Sequence, residues 1–388
     1  MKERNEAKKK KAVVYIITQL ELGGAQKICL ELFKNIPKNN SSSNSFVTYL
    51  ITGKSGPLTS TVIKEKNVIF LDKLYQKKGQ LNSLWCEIAC FFQMRKKLLL
   101  LKKQYGEIII HTHSSKAGII GRWAAFFCGI KLRIHTVHGY SFNAHISKLS
   151  ALFFYLCEWL TAFITTHFIC VSSQDVKTGL YYLPKFKKHY SIIRAAIDHK
   201  KFIQSNSQKN KSSFIFGTIS CFKKQKNLFD LLNAFALVHQ THPTIHLEII
   251  GDGILRPAIS QWITQKSLQK NITLHGWQHN VAPIMKTWSS FILSSLWEGL
   301  PCSVIEARVL KLPIICYNTG GISDVVFHEK NGALIQQSNW ISLAYYMQKL
   351  LTDSTFLEKT KKYNDSLDDF KNSTMTMQHS ALYNQLHL

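Results

Sequence analysis

Acidic residues are scarce in this chain. Across 388 residues, 23 Asp and Glu stand against 49 Lys and Arg, a formal net charge of +26. A surface so basic takes polyanions as partners: nucleic acid, anionic lipid or phosphate-bearing substrates. The motifs of nucleic-acid binders are missing, with no Cys and His at finger spacing and no basic region running into heptads. A nucleic-acid partner rests on charge alone and is not expected. The nine cysteines are scattered and never form C-x-x-C, which argues for reduced thiols and against a disulfide framework. No D-x-D is present to hold a divalent cation against a nucleotide diphosphate. The H-x-H of His111 and His113 has no acidic or thiolate company, so no metal is expected. No G-x-G-x-x-G follows the first apolar run, as a dehydrogenase would require. Met1 to Lys11 is charged and lacks the apolar core of a signal peptide.

What is present is globular. Hydrophobic residues make up 45% of the chain and charged residues 19%, enough for two cores, and the length suits two domains. The basic residues are spread, with local clusters at Lys8 to Lys11 and Lys185 to Lys188. That distribution fits a membrane-facing or phosphate-handling enzyme, the plain alternative being a solvated surface with no specific partner. Ala151 to Ser172 is apolar and about long enough to cross a bilayer. Glu158 in its interior and His167 near its end would each cost a few kcal/mol at mid-membrane. The stretch reads as a buried helix, a turn at Thr165-Thr166, then a strand His167 to Val171. The expected location is the cytoplasm, peripheral on the inner face of a membrane.

Ala12 to Thr18 is a short apolar run rich in β-branched residues, bounded by lysines and by Gly23-Gly24, and reads as a buried strand. A helix is expected from Ala25 or Gln26. Similar runs recur at 46–51, 68–71, 108–111, 132–137 and 168–171, separated mostly by helical patterns. One of these, Leu81 to Lys103, sets lysines against Trp85, Phe91, Phe92 and leucines. After the polar stretch 194–213 the pattern restarts with strands at 214–219, 245–250, 272–275, 291–293 and 313–316. Alternation of this kind predicts an α/β fold of two Rossmann-like, doubly wound domains facing a cleft, with ligands beyond the carboxyl ends of the strands. The expected boundaries are a first domain 12–198, a linker 199–212, a second domain 213–369 and a C-terminal helix 370–388. Met375, Met377, Leu382, Tyr383 and Leu386 would form the stripe of that helix.

Chemistry is expected where polar residues follow strands. Glu298 and Glu306 are separated by seven residues, with Gly299-Leu300-Pro301 opening a helix between them. Pro301 suits a first helical turn. The N–H groups near Gly299 to Ser303 would meet a phosphate, and a carboxylate accepts two neighbouring sugar hydroxyls. Taken alone, the pair also reads as a surface glutamate and a helix-dipole glutamate. Lys223, Lys224 and Lys226 crowd a strand-to-helix loop where an ammonium would neutralise a diphosphate; in isolation KKQK is a solvated run. Gly23-Gly24 allows close approach of a ligand to the backbone. His111 to Gly118 and His135 to Tyr140 both follow strands of the first domain. Any one histidine is ordinarily structural; two such loops together point to a site.

In this order, GGAQK at 23–27, HSSKAG at 113–118, TVHGY at 136–140, KKQKN at 223–227, IIGDG at 249–253, EGLPCSVIEA at 298–307 and NTGGISDVV at 318–326 resemble the retaining glycosyltransferases of family 4, the glycogen-synthase-like type with the GT-B fold. The resemblance runs from about residue 12 to the end. It implies an acceptor-binding first domain and a nucleotide-sugar-binding second domain, with the C-terminal helix crossing back to the first. It implies Glu306 on the ribose diol, Glu298 on the transferred sugar, Lys226 on the diphosphate and Gly24 near it. Gly299 and Leu300 would line the donor, and Gly320 and Gly321 lie in a turn of backbone donors around the phosphates. His138 would support the reaction centre by hydrogen bonding to the donor sugar, and His113, Ser115 and Lys116 would face the acceptor or the cleft.

One departure stands out: where the family has an arginine five residues before the phosphate lysine, this chain has Cys221, and Lys223 or Lys224 would have to replace the charge. Asp324 also stands where a glutamate is common. The implied reaction moves a hexose or N-acetylhexosamine from a nucleotide sugar, UDP-linked by prevalence, to a lipid-linked or polysaccharide acceptor of bacterial surface glycans, with no cofactor beyond the donor itself. The rival readings are a nucleotide-sugar epimerase of the same architecture, which would need no acceptor, and a non-catalytic member that binds a nucleotide sugar or glycan, toward which Cys221 points.

Overall fold

The computed structural model describes residues 11–36, 46–74, 83–204 and 213–386. The cluster Lys8 to Lys10, the start of the 81–103 pattern and the 205–212 part of the expected linker lie outside these. The described residues form two compact units, divided after Ala195, with the segment from Asn372 onward belonging to the first.

The first unit holds a seven-stranded sheet. In chain order its strands are β1 (Lys11–Ile16), β2 (Phe46–Thr52), β3 (Val68–Phe70), β4 (Ile108–His113), β5 (Leu132–Val137), β6 (His167–Cys170) and β7 (Tyr190–Ile192), lying side by side as β3-β2-β1-β4-β5-β6-β7. The second unit holds β8 (Ile215–Ile219), β9 (His246–Ile250), β10 (Ile272–Gly276), β11 (Ser290–Leu293), β12 (Ile314–Tyr317) and β13 (Gly332–Ile335), ordered β10-β9-β8-β11-β12-β13. Every strand pairs in parallel with its neighbours. Parallel strands need crossover helices on both faces, so strands such as β1 and β11 are buried and apolar, as in Ala12 to Ile16 and Phe291 to Leu293, whereas β4 and β5 carry buried His and Thr side chains toward their carboxyl ends. The order reverses beside β1 and again between β8 and β11, and those switch points open crevices at the carboxyl ends.

Each expected strand is present, and two more were not expected. β7 is three residues long after a lysine-rich stretch, and β13 is the short GALI segment, so neither presents a recognisable run. The helix after β1 starts at Gly24, earlier than expected. Residues 199–203, expected as linker, form a helix of the second unit instead: Phe202 is buried, and Lys286 Nζ donates to Ile203 O at 2.7 Å.

Three helices depart from their sequence reading in informative ways. The helix Lys148–Ala162 is not buried. Glu158 turns inward to Arg122 at 2.8 Å, a fully buried ion pair completed by Thr165 Oγ1 and Gly118 O. Much of the helix's apolar surface faces outward, with Leu149 82% exposed and Phe153, Leu156, Leu160 and Phe163 following at helical spacing. The helix Ser83–Tyr105 buries Cys90, Met94, Leu98 and Leu101 and leaves Trp85, Phe92, Leu99 and Leu100 exposed, so apolar residues lie on both sides. The C-terminal helix, Asn372–Leu386, buries Met375, Thr376, His379, Ser380, Leu382 and Tyr383. Met377, expected in its stripe, is 64% exposed. No helix among the described residues is long and apolar enough to cross a membrane.

Candidate active site

In the second unit, three loops converge at the carboxyl ends of β8, β11 and β12. The chain leaves β8 through Ser220 to Lys223, makes a 3-10 turn at Lys224–Lys226, and enters the helix Leu228–Thr241 through Asn227 in the left-handed conformation (φ 46°). The left-handed residue turns the chain sharply enough to aim Lys226 back over β11. There its Nζ forms an ion pair with Glu298 Oε1, both side chains being largely enclosed. Gln225 Nε2 donates to Trp297 O at 2.7 Å, and Ser294 Oγ donates to Lys226 O and Asn227 O, each at 3.0 Å. The lysine loop and the glutamate loop are therefore pinned by backbone acceptors at the switch point of the sheet.

The third loop, after β12, closes against the second. Gly321 N–H donates to Gly299 O at 2.6 Å, and Thr319 Oγ1 donates to Leu296 O at 3.0 Å. Gly320 sits at φ +55°, and a Cβ there would strike Glu298 O, so only glycine fits. Glu306 lies in the second turn of the helix Cys302–Val309 and is 4% exposed. Pro301 caps that helix and does not occupy its first turn. Lys223 and Lys224 are exposed on the rim of the lysine loop. Gln225, Ser294 and Gln337, whose Nε2 donates to Leu296 O at 2.9 Å, also shape the site. Sequence reasoning missed all three. Gln225 lay inside the KKQKN motif, whereas Gln337 follows the unrecognised β13.

The first unit carries its own polar cluster. Parallel register sets Tyr15 beside His111 and His113 beside Thr136, so all four share one face of the sheet. His111 and His113 lie within β4, not in the loop after it. The C-terminal helix covers this face: Tyr383 Oη is 2.5 Å from His111 Nδ1 and 3.2 Å from Tyr15 Oη, while His111 Nε2 meets Thr136 Oγ1 at 2.6 Å. His135, on the opposite face, bonds Thr112. Burial pushes His111, His113 and His135 well below the usual imidazole range, and neighbouring histidines or Arg122 add to it. In the loop after β5, His138 Nε2 lies 3.0 Å from His113 Nδ1. Burial, with His379 second, lowers His138 to about 3. At the start of the next helix Ser115 Oγ bonds Ser141 Oγ at 2.6 Å, and Lys116 pairs with Glu87 at 2.6 Å. Gly24 opens the helix after β1 in this unit. The structure thus brings together Lys226, Glu298, Gly299, Gly320 and Gly321 in one unit, and His113, His138 and Ser115 in the other.

Known proteins carry the same arrangement of sequence and fold. The family model for glycosyl transferases group 1 matches residues 199–366. The chain is 31% identical over 327 residues to the UDP-Gal:alpha-D-GlcNAc-diphosphoundecaprenol alpha-1,3-galactosyltransferase of Escherichia coli, covering 81% of each chain. It is 22% identical to the capsular polysaccharide biosynthesis glycosyltransferase CapM of Staphylococcus aureus, over 70% of this chain and 75% of that one. The crystal structure of Anabaena HepE in complex with UDP and glucose superposes with a TM-score of 0.78 at 15% identity, covering 96% of this chain and 99% of the other. That last likeness concerns the fold, and the fold is the two-unit GT-B architecture of glycosyltransferases. On sequence over four-fifths of its length, the chain belongs to the group 1 glycosyltransferases.

Proposed function

We propose that this glycosyltransferase is a retaining, family 4 enzyme that moves a hexose or N-acetylhexosamine from a UDP-sugar to a lipid-linked acceptor in bacterial surface-glycan synthesis. The observation that carries the reading is the enclosed Lys226–Glu298 pair at the β8/β11 switch point, with Gly320-Gly321 closing on it and Glu306 buried in the helix that follows. The Escherichia coli relative, whose name gives a UDP-galactose donor and a diphosphoundecaprenol-linked acceptor, supports the choice of both substrates.

In this reading Glu306 accepts from the ribose diol and Glu298 contacts the transferred sugar. As the bond from anomeric carbon to β-phosphate oxygen breaks and the acceptor hydroxyl oxygen bonds to that carbon, passing its proton to the departing β-phosphate oxygen, Lys226 and the backbone N–H groups of the 319–322 turn stabilise the charge gathering on the diphosphate. Lys223 and Lys224 supply the positive charge that the arginine provides elsewhere in the family. Gly24, Leu300, Ser115 and Lys116 keep the roles that the resemblance gives them, and the scheme invokes no metal. The test is turnover of UDP-, GDP- and ADP-sugars with GlcNAc-diphosphoundecaprenol as acceptor. UDP release that depends on acceptor, with an α-linked product, is the expected result. Release of GDP or ADP, or a β-linked product, would overturn the donor or the stereochemistry.

The protein works at an anionic membrane surface, docking through the outward stripe of the helix Lys148–Ala162. Leu149, Phe153, Leu156, Leu160 and Phe163 offer one continuous apolar edge, flanked by exposed Lys148, Lys185, Lys187 and Lys188, with Lys185 Nζ 5.8 Å from the Phe163 ring centroid. Apolar edges rimmed by basic residues bind anionic interfaces. Flotation with anionic vesicles at low salt is expected to carry the protein up. The pair Phe153→Ser and Leu160→Ser is expected to lower partitioning by about tenfold or more. Failure of the wild-type protein to float would exclude the docking.

A further inference from the structure

The hydrogen bond between His113 and His138 fixes more than position. The rings stack 5.3 Å apart at 28°, and one nitrogen of the pair must bring the shared proton. His113 is fully buried at the end of β4, and its Nε2 has no hydrogen-bond partner. If His138 donated, His113 would carry its own proton on Nε2, an enclosed N–H with nothing to receive it, and orphaned buried N–H groups are rare. If His113 donates through Nδ1, its Nε2 keeps only a lone pair. The adjacent His379 is in that state: its Nδ1–H donates to Met375 O at 2.8 Å, and its buried Nε2 likewise has no partner. His113 is held in turn by the ring of His111, 4.4 Å away and tilted by 32°, which Tyr383 and Thr136 grip from both sides.

We propose that His113 is a positioning residue that accepts no proton from His138 but donates to it, fixing His138 as the tautomer protonated on Nδ1, so that His138 meets the transferred sugar as a neutral hydrogen-bond donor and not as a base. The inference rests on the reading of His138 as a sugar contact. With Nε2 occupied as acceptor and Nδ1 already protonated, His138 has no nitrogen left to take a proton from an acceptor hydroxyl. The histidines facing it from β4 and from the C-terminal helix, His113, His111 and His379, are all held neutral by burial, so the chain of donors is not disturbed near neutral pH.

Two measurements test this. The first is the tautomer of His138, read from histidine ring 15N shifts and assigned by comparison with His138→Gln. The proton is expected on Nδ1 in the wild type, and a mixture is expected in His113→Leu. The second is turnover with UDP-sugar and acceptor. His113→Leu is expected to lower kcat by about 10²-fold, the scale of a misplaced contact, with UDP affinity unchanged. His113→Asn, whose Nδ2 lies where Nδ1 was and also donates, is expected to recover most of kcat. A wild-type proton on Nε2, full activity in His113→Leu, or His113→Asn no better than His113→Leu overturns the assignment. If the wild type turns over no donor, the reading of the enzyme fails instead, and the 15N result still decides the role of His113.

Discussion

Acidification from pH 7.5 to pH 5.5 is expected to unfold the first unit. Five histidines of that unit are buried: His111, His113, His135, His167 and His379. Burial lowers every one of them, to about 4 for His167 and His379 and well below the ordinary range for the other three. The unfolded chain titrates them near 6.5, so below that pH it binds protons that the native state refuses. Stability from these groups is full above about pH 6.5 and is lost as pH falls toward the folded values. Each contributes up to about 1.4 kcal/mol per pH unit in that window, so five together cost on the order of 5 kcal/mol by pH 5.5. That equals a large part of a domain's whole stability. The check is urea unfolding at the two pH values, with limited proteolysis and mass spectrometry to locate the region that opens. Equal midpoints at pH 7.5 and 5.5 would mean that the cluster is protonated or hydrated in the native protein. Cleavage confined to the second unit would place the acid-sensitive element elsewhere.

Glu306→Gln is expected to lower kcat/KM for the donor by about 10²-fold, and Glu306→Ala by more. The carboxylate stands on a buried helix, 4% exposed, with little freedom to lose on binding. If it accepts from both ribose hydroxyls, two charged hydrogen bonds of about 1.5–3 kcal/mol each are at stake. The amide keeps the shape and one acceptor but gives up the charge, and a loss near 3 kcal/mol is about 10²-fold. Titration calorimetry with UDP should show the same loss, because the contact is to the nucleoside and not to the sugar. Glu298→Gln would separate from it by lowering kcat more than UDP affinity. UDP binding and turnover in Glu306→Gln within about threefold of wild type would remove Glu306 from the donor site.

The linear order of residues determined the alternation of strands and helices, hence the two parallel sheets. It also placed the polar segments that follow β5, β8, β11 and β12 at strand ends, because apolar runs and the turns that bound them are local signals. The pairing of Lys226 with Glu298 was not spelled out by either motif, yet both residues could be named, since each lies beside a glycine or a helix start that marks its loop. Three things were decided only by tertiary structure. The outward turn of the Lys148–Ala162 stripe depended on Glu158 finding Arg122, a partner 36 residues away. The polar inner face of the C-terminal helix depended on Tyr15, His111 and His113 being there to receive it, so its apolar period misled. The direction of the hydrogen bond from His113 to His138 depended on which nitrogen is enclosed with nothing to bond. Periodicity reports whether a side chain is buried on average; it carries no record of which distant group will be waiting inside, and that group sets the charge, tautomer and exposure of the side chain it meets.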